Sequence, residues 1–188
     1  MDSYFDMKAI PSVEILQSSV VAALMQGLHT ILPKYDGRVG LDFPGYGQNQ
    51  TLGGIIRIIG TEEDIKDIGY RVKANSGIRD YSMLGSIQMI PSNVNKFSCY
   101  KRNHVQGNSR LRRHMKRQQA LGTWTVEKEQ ALVSSLSTKT HMPHVTLRSL
   151  SSNQNFMLFV KKQTKLSAVA GLFNAYGLSI EEGTVPCF

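Results

Sequence analysis

Gly54-Ile55-Ile56-Arg57-Ile58-Ile59 is a short apolar run rich in β-branched residues, and it predicts a buried β-strand. Thr61 follows after Gly60, with three acids at 62–64, so a capped helix N-terminus is expected after the strand. Capping explains these acids more simply than a metal site does. The run carries no aromatic residue that could stack on a nucleobase, so this strand is predicted to belong to a core and not to an RNA-binding platform.

The elements around this strand complete the N-terminal half. Loose alternation predicts a strand over Tyr4–Ile10, and apolar residues at helical spacing predict a helix over Val13–Leu32 that ends at a proline. Val39–Phe43 and Ser86–Pro91 are predicted as further strands. The resulting order β-α-β-β-α-β is the ferredoxin-like arrangement, which also underlies the RNA-recognition motif.

The C-terminal half is more basic and irregular, and the whole chain is expected to have an α+β fold. No element is assigned to the basic, polar and aromatic segment Phe97–Gln106. The elements predicted beyond it are a helix from Asn108 or Ser109 to about Ala120, a second helix to about Leu136, and strands over His144–Ser149, Asn155–Lys161 and a last segment through Tyr176.

The positive charge of the chain is concentrated in one segment. The chain carries 22 Lys and Arg against 14 Asp and Glu, a net charge of +8. No acid lies between Tyr81 and Val126, but eight of the 22 cations do, which leaves 14 cations against 14 acids elsewhere. A neutral body with one cationic segment indicates a polyanion binder. A solvated charge run is the alternative, but such runs usually contain acids as well.

The helix predicted after Asn108 carries most of this charge on two adjacent faces. Guanidinium groups arranged in this way can follow a row of phosphates. Phosphate contacts read no sequence, so Arg102 and His104, just before the helix, are the predicted base readers. The helix alone does not distinguish RNA from DNA. Its face residues are Arg110, Arg113 and Arg117 on one side, Arg112 and Lys116 on the other, and His114 between them.

The residues disfavour several other kinds of site and location. Cys99 and Cys187 lie far apart and are expected to be reduced thiols in the cytosol. No apolar run is long enough to span a membrane, and no basic signal region is visible. His141 and His144 have no cysteine or carboxylate cluster nearby to complete a zinc site, and no two-metal or P-loop constellation occurs. We expect a cytoplasmic protein without a metal or other cofactor.

Motifs along the whole chain, in order and near register, resemble those of one family. They are Gly27-Leu28-His29, Val39-Gly40-Leu41-Asp42-Phe43-Pro44, Arg110-Leu111-Arg112-Arg113, Val145-Thr146-Leu147-Arg148-Ser149, Phe156, Tyr176-Gly177-Leu178-Ser179 and Val185-Pro186. The family they resemble is the CRISPR-associated repeat-processing endoribonuclease of type I-F systems. The resemblance implies a ferredoxin-like domain over 1–94 and an irregular domain over 95–188 that bears the arginine-rich helix and a small sheet.

The resemblance also implies an activity and partners. Such a protein is expected to bind the stem-loop of the CRISPR repeat transcript and to cut it at the 3′ base of the stem without a metal. The 2′-hydroxyl of the RNA itself attacks, which leaves a 2′,3′-cyclic phosphate. The enzyme is then expected to stay on the mature CRISPR RNA as a subunit of the RNA-guided surveillance complex.

Individual residues take roles from the same resemblance. His29 is expected to handle the proton of the 2′-hydroxyl, Ser149 to hold the ribose, and Tyr176 to orient the histidine. Phe156 is expected to stack under the last base pair of the stem, and Arg102 to read a guanine at the stem base. No metal ligand is expected.

Two departures from the family and three alternatives accompany this interpretation. His104 stands where the family has a glutamine, which leaves base preference there open, and His114, Gln118 and Gln119 replace further basic residues, which predicts a weaker grip on the backbone. Taken alone, His29 would be interpreted as a structural histidine. A non-catalytic subunit that only anchors a guide RNA and a DNA-binding regulator are the alternative functions.

Overall fold

The computed structural model describes residues 1–104, 108–139 and 141–188, without the side chains of 108–112, 114 and 135–139. Two antiparallel sheets and their helices give the α+β fold expected from the sequence. The N-terminal elements are β1 (Ser3–Ala9), α1 (Gln17–Ile31), β2 (Gly40–Asp42), β3 (Ile55–Gly60), α2 (Glu62–Ala74), α3 (Ser76–Arg79), β4 (Ser82–Leu84) and β5 (Gln88–Met89). The C-terminal elements are β6 (Phe97–Asn103), α4 (Asn108–Ala120), α5 (Val126–Lys139), β7 (His144–Arg148), β8 (Asn155–Lys165) and β9 (Val185–Pro186).

The first sheet has the strand order β2-β3-β1-β4, and the short β5 also pairs with β1. Alternate residues of β1, namely Phe5, Met7 and Ala9, are buried in one cluster with the apolar stripes of α1 and α2. The predicted cap of α2 is confirmed, because the backbone N–H of Asp64 donates to the Thr61 hydroxyl at 3.2 Å.

The C-terminal half covers the opposite face of the first sheet. Arg57 of β3 donates to the Asp6 carboxylate at 2.7 and 2.9 Å and to the Phe188 carbonyl at 2.5 Å. Its guanidinium lies over the rings of Tyr4 and Phe188. Arg57 and Ile59, which share this face, are both buried. The prediction that this strand belongs to a core is confirmed.

The second sheet has the order β7-β8-β6-β9, and β7 lies against α1. Its inner residues Val145, Leu147, Leu158 and Val160 join the same buried cluster as the first sheet. The end of α1 and the loop after β7 are brought together by this packing, which places His29 near Ser149.

Three predictions about the elements need correction. The helix predicted over Val13–Leu32 begins only at Gln17, because Val13 and Leu16 are exposed and gain nothing from helical packing. The strand predicted over Ser86–Pro91 exists only as the two-residue β5, and the preceding β4 was not predicted. The chain pairs with β1 in two short pieces, β4 and β5, separated where the backbone N–H of Gly85 donates to the Asp6 carbonyl at 2.8 Å.

The last strand is the third correction. The segment through Tyr176 is a series of turns with a single bridge between Phe173 and Ser179, and the final strand is β9. The strand β6 lies in a segment to which no element had been assigned.

Both cysteines are free, Cys99 buried and Cys187 half-buried, as expected. No helix in the described ranges has the length and apolarity needed to cross a bilayer.

Candidate active site

His29 lies in the last turn of α1, and its neighbours hold that turn in place. Leu28 is fully buried in the core. Gly27 packs so closely on α3 that a Cβ atom would come within 2.6 Å of the Ile78 side chain, so any larger residue would force this side chain to move. The half-buried His29 ring points to the C-terminal half, where its Nδ1 lies 3.2 Å from the Ala175 carbonyl oxygen.

Tyr176 stacks on the imidazole of His29. The two ring centroids are 4.0 Å apart and the ring planes differ by 5°. The turn that carries Tyr176 is bound to both sheets, because Leu41 of β2 donates to the Gly177 carbonyl at 2.9 Å and Ser179 donates to the Tyr100 carbonyl at 2.7 Å. The stack therefore restricts rotation of the imidazole against a turn that is itself anchored.

Ser149 follows β7 in a tight loop that leads into β8. Its backbone N–H donates to the Gln154 carbonyl, and Asn153 donates to the Ser149 carbonyl, both at 2.9 Å. The Ser149 hydroxyl accepts from the backbone N–H of Ser152 and lies 3.2 Å from the hydroxyl of Ser151. One end of this loop is tied to α1, because Gln26 accepts a hydrogen bond from the N–H of Arg148.

Arg102 and Phe156 extend the site along the second sheet. The Arg102 guanidinium carbon lies 5.5 Å from the centre of the Phe156 ring, a cation–π contact between β6 and β8. Arg102 is exposed and Phe156 is half-buried. A planar cation beside an aromatic ring can hydrogen-bond one base and stack on another.

These side chains line one open cleft of about 550 Å³. The residues in it that were predicted from the sequence are His29, Arg102, Ser149, Phe156 and Tyr176, and those that were not are Leu150, Ser151, Ser152, Gln154 and Asn155. Four of the second group lie between the two predicted strands, and Asn155 begins the second of them. Nothing in the sequence indicated their position beside the histidine.

A buried pair of polar side chains lies next to the backbone anchors of the turn that carries Tyr176. The Tyr100 hydroxyl donates to Asp42 Oδ1 at 2.8 Å, and both side chains are buried between the two sheets. Burial raises the pKa of the Asp42 carboxyl, although the hydrogen bond from Tyr100 opposes this. Among the described residues, the second carboxylate oxygen of Asp42 has no hydrogen-bond partner.

Comparison with known proteins shows the family to which the chain belongs. The model of the family described as "CRISPR-associated protein (Cas_Csy4)" matches residues 4–188. The chain belongs to this family. It is 30% identical over 192 residues to the CRISPR-associated endonuclease Cas6/Csy4 of Pseudomonas aeruginosa (strain UCBPP-PA14) and 28% identical over 194 residues to that of Escherichia coli (strain UTI89 / UPEC). Each match covers 100% of both chains, and the family resemblance found in the sequence is confirmed.

The basic helix of this Cas_Csy4 family member is α4, with bounds close to those predicted. Arg113, Lys116 and Arg117 are exposed on it. The predicted contributions of Arg110, Arg112 and His114 concern side chains that lie outside the described residues. The described side chains that line the cleft do not include any of α4, nor His104, which is exposed just beyond the end of β6.

Two further histidines, His141 and His144, contact residues that do not line the cleft. His141 Nδ1 lies 3.3 Å from the Gln50 amide nitrogen, and His144 Nδ1 lies 3.1 Å from the Met142 carbonyl. Within the part of the chain that the structure describes, no group of three or more His, Cys, Asp or Glu could hold a metal ion.

Proposed function

We propose that this chain is an endoribonuclease that binds the CRISPR repeat stem-loop and cuts the precursor RNA at the 3′ base of the stem. The observation that carries the proposal is the single cleft in which His29, Ser149 and Tyr176, from three separate segments, lie beside Arg102 and Phe156. Membership of the Cas_Csy4 family, and the printed description of the two relatives as endonucleases, support the same reaction class.

The proposed chemistry is an internal transesterification. The 2′-oxygen of the nucleotide before the cut attacks the adjacent phosphorus, the new O2′–P bond forms and the P–O5′ bond breaks. One proton leaves the 2′-oxygen and one is delivered to the departing 5′-oxygen, so no water is consumed. The products are a 2′,3′-cyclic phosphate and a 5′-hydroxyl. Both proton transfers suit an imidazole at neutral pH, and the proposal requires no metal.

The five predicted residues of the cleft each have a role in this reaction. His29 moves the proton, Tyr176 holds the imidazole by stacking, and the Ser149 hydroxyl holds the ribose. Phe156 stacks under the last base pair of the stem, and Arg102 donates to the O6 and N7 acceptors of a guanine.

The cations before and along α4 complete the proposed RNA site. They would neutralise phosphates of the hairpin and position it, without reading sequence. His104 can donate to a purine acceptor at the stem base. The phosphate-binding side chains in this proposal are Arg110, Arg112, Arg113, His114, Lys116 and Arg117.

We also propose that residues 1–94 form a ferredoxin-like domain and 95–188 the hairpin-binding domain. The antiparallel order β2-β3-β1-β4, with α1 after β1 and α2 after β3, supports the first assignment. The protein is further proposed to work in the cytoplasm and to stay on the processed RNA as a subunit of the type I-F surveillance complex. The proposal involves no membrane.

Hairpin cleavage in EDTA tests the function. We expect the chain to cut a repeat stem-loop in EDTA, to leave a 2′,3′-cyclic phosphate, and to lose cutting in His29→Ala. A substrate with hydrogen in place of the attacking 2′-hydroxyl should bind but stay intact. Continued cutting of that substrate would refute the mechanism. Tight binding without any cutting would support the non-catalytic RNA-binding alternative, and preference for duplex DNA over the hairpin would support a DNA-binding regulator.

A further inference from the structure

The turn that carries Tyr176 is organised by the side chain of Asn174. Its Oδ1 accepts hydrogen bonds from the backbone N–H of Tyr176 at 2.8 Å and from that of Leu178 at 3.3 Å. Its backbone N–H donates to the Leu178 carbonyl, and its carbonyl accepts from the N–H of Gly177, both at 2.8 Å. Gly177 has φ +69°, a conformation that favours glycine. Asn174 therefore closes a compact Asx-type turn around the two residues that meet His29.

This turn presents the Ala175 carbonyl to Nδ1 of His29. A carbonyl oxygen can only accept a hydrogen bond, so at the 3.2 Å separation Nδ1 must carry the hydrogen. In the neutral imidazole, Nε2 is then the unprotonated nitrogen. Nε2 is therefore the atom that can take a proton from a 2′-hydroxyl, and in the imidazolium it is the atom that can give one back.

We propose that Asn174 is a positioning residue that selects this tautomer of His29. Its side chain holds the Ala175 carbonyl against Nδ1 and the Tyr176 ring against the imidazole face. This inference rests on the proposed function, because it assigns the proton transfer of that reaction to Nε2. The tautomer itself is a property of the protein without RNA, so it can be measured separately from cleavage.

Loss of the Asn174 side chain should loosen the turn without unfolding the chain. The turn keeps two backbone anchors that do not involve position 174, from Leu41 to the Gly177 carbonyl and from Ser179 to the Tyr100 carbonyl. The expected defect is therefore a misdirected imidazole. A displacement of about 1 Å at a reacting group can cost on the order of 100-fold in rate.

The test compares Asn174→Ala, which removes the acceptor, with Asn174→Asp, which keeps an oxygen in its place. Asn93→Ala is the matched control, because Asn93 is exposed in the turn between β5 and β6. Single-turnover cleavage is measured with saturating enzyme, and affinity is measured on the 2′-deoxy hairpin. We expect Asn174→Ala to cleave at least roughly tenfold more slowly than wild type, with an affinity within about twofold of wild type. Asn174→Asp should recover most of the wild-type rate.

The ¹⁵N spectrum of histidine-labelled protein provides the second readout, with His29 assigned by comparison with His29→Ala. Wild type should have one neutral tautomer, hydrogen on Nδ1, and Asn174→Ala should have a mixture. A wild-type spectrum with hydrogen on Nε2, or equal cleavage by wild type and Asn174→Ala, would overturn the inference. Wild-type protein that leaves the hairpin intact would instead refute the proposed function, and the tautomer measurement would still decide the role of Asn174.

Discussion

Gln26 of α1 accepts a hydrogen bond at 3.0 Å from the backbone N–H of Arg148, the residue before Ser149. Because Gln26 lies one helical turn before His29, this bond ties the helix that carries the histidine to the end of the strand that leads into the serine loop.

Removing this bond should slow the reaction without weakening RNA binding. We expect Gln26→Leu to lower the single-turnover cleavage rate by roughly tenfold and to leave the affinity for a 2′-deoxy hairpin within about twofold of wild type. Gln26→Glu keeps an oxygen acceptor and should retain more of the rate. Equal rates for Gln26→Leu and wild type would mean that the two catalytic segments are held in register by other contacts.

The stack of Tyr176 on His29 predicts that the Tyr176 ring contributes to the cleavage rate and that its hydroxyl does not. No hydrogen bond of the Tyr176 hydroxyl occurs among the described residues. Tyr176→Phe should therefore cleave within about threefold of wild type, and Tyr176→Leu should be slower by roughly tenfold or more, because the imidazole loses its planar support. The comparison is made by single-turnover kinetics at constant pH. A Phe variant as slow as the Leu variant would assign the contribution to the hydroxyl.

The exposed cations of α4 should appear in the salt dependence of RNA binding. If Lys116 and Arg117 each neutralise one phosphate, the slope of log affinity against log salt should become shallower by about 0.7–0.9 for each replacement by glutamine. The decisive measurement is a titration of the 2′-deoxy hairpin at several salt concentrations. Lys73→Gln, on α2, removes an exposed cation from the other half and should leave the slope unchanged.

Asp42 should make the stability of the fold depend on pH. Burial raises the pKa of this carboxyl, so the folded chain binds its proton more tightly than the unfolded chain does. The resulting stabilisation is fully present below the unfolded-state pKa of an aspartate and is lost as the pH rises through the raised folded-state pKa. Asp42→Asn has no charge to bury, so its unfolding free energy should rise relative to wild type over this pH window.

Urea unfolding of both proteins at pH values from about 4 to 8 measures this difference. Asp2→Asn, the same exchange at an exposed position, is the matched control. A difference for Asp42→Asn that is independent of pH would show that the buried carboxyl is equally protonated in both states.

The elements that the sequence predicted well are those with one continuous buried face. The stripe of α1, which includes Leu24 and Leu28, and the isoleucine run of β3 both identify their elements to within a few residues. The division between β4 and β5 could not be predicted, because it depends on a hydrogen bond from Gly85 to the distant Asp6 carbonyl. No local pattern reports such a contact.

The site residues, unlike the helices and strands, could not be predicted from local sequence patterns. His29, Ser149 and Tyr176 have no distinctive spacing, and it was the family resemblance that selected them before the structure placed them in one cleft. The contribution of Ala175 could not be found in the same way. It is made by a backbone carbonyl, which every residue type possesses, so only the three-dimensional contact identifies it.

The Tyr176 turn is hydrogen-bonded to Leu41 on one side and to Tyr100 on the other, so its anchored form needs both sheets. A nascent chain that has completed only its first sheet has an imidazole with no partner ring and no serine opposite it. Under the proposed function, such an intermediate could not nick bystander transcripts, however long it persisted on the ribosome. Cleavage activity would therefore arise only after the two sheets had docked.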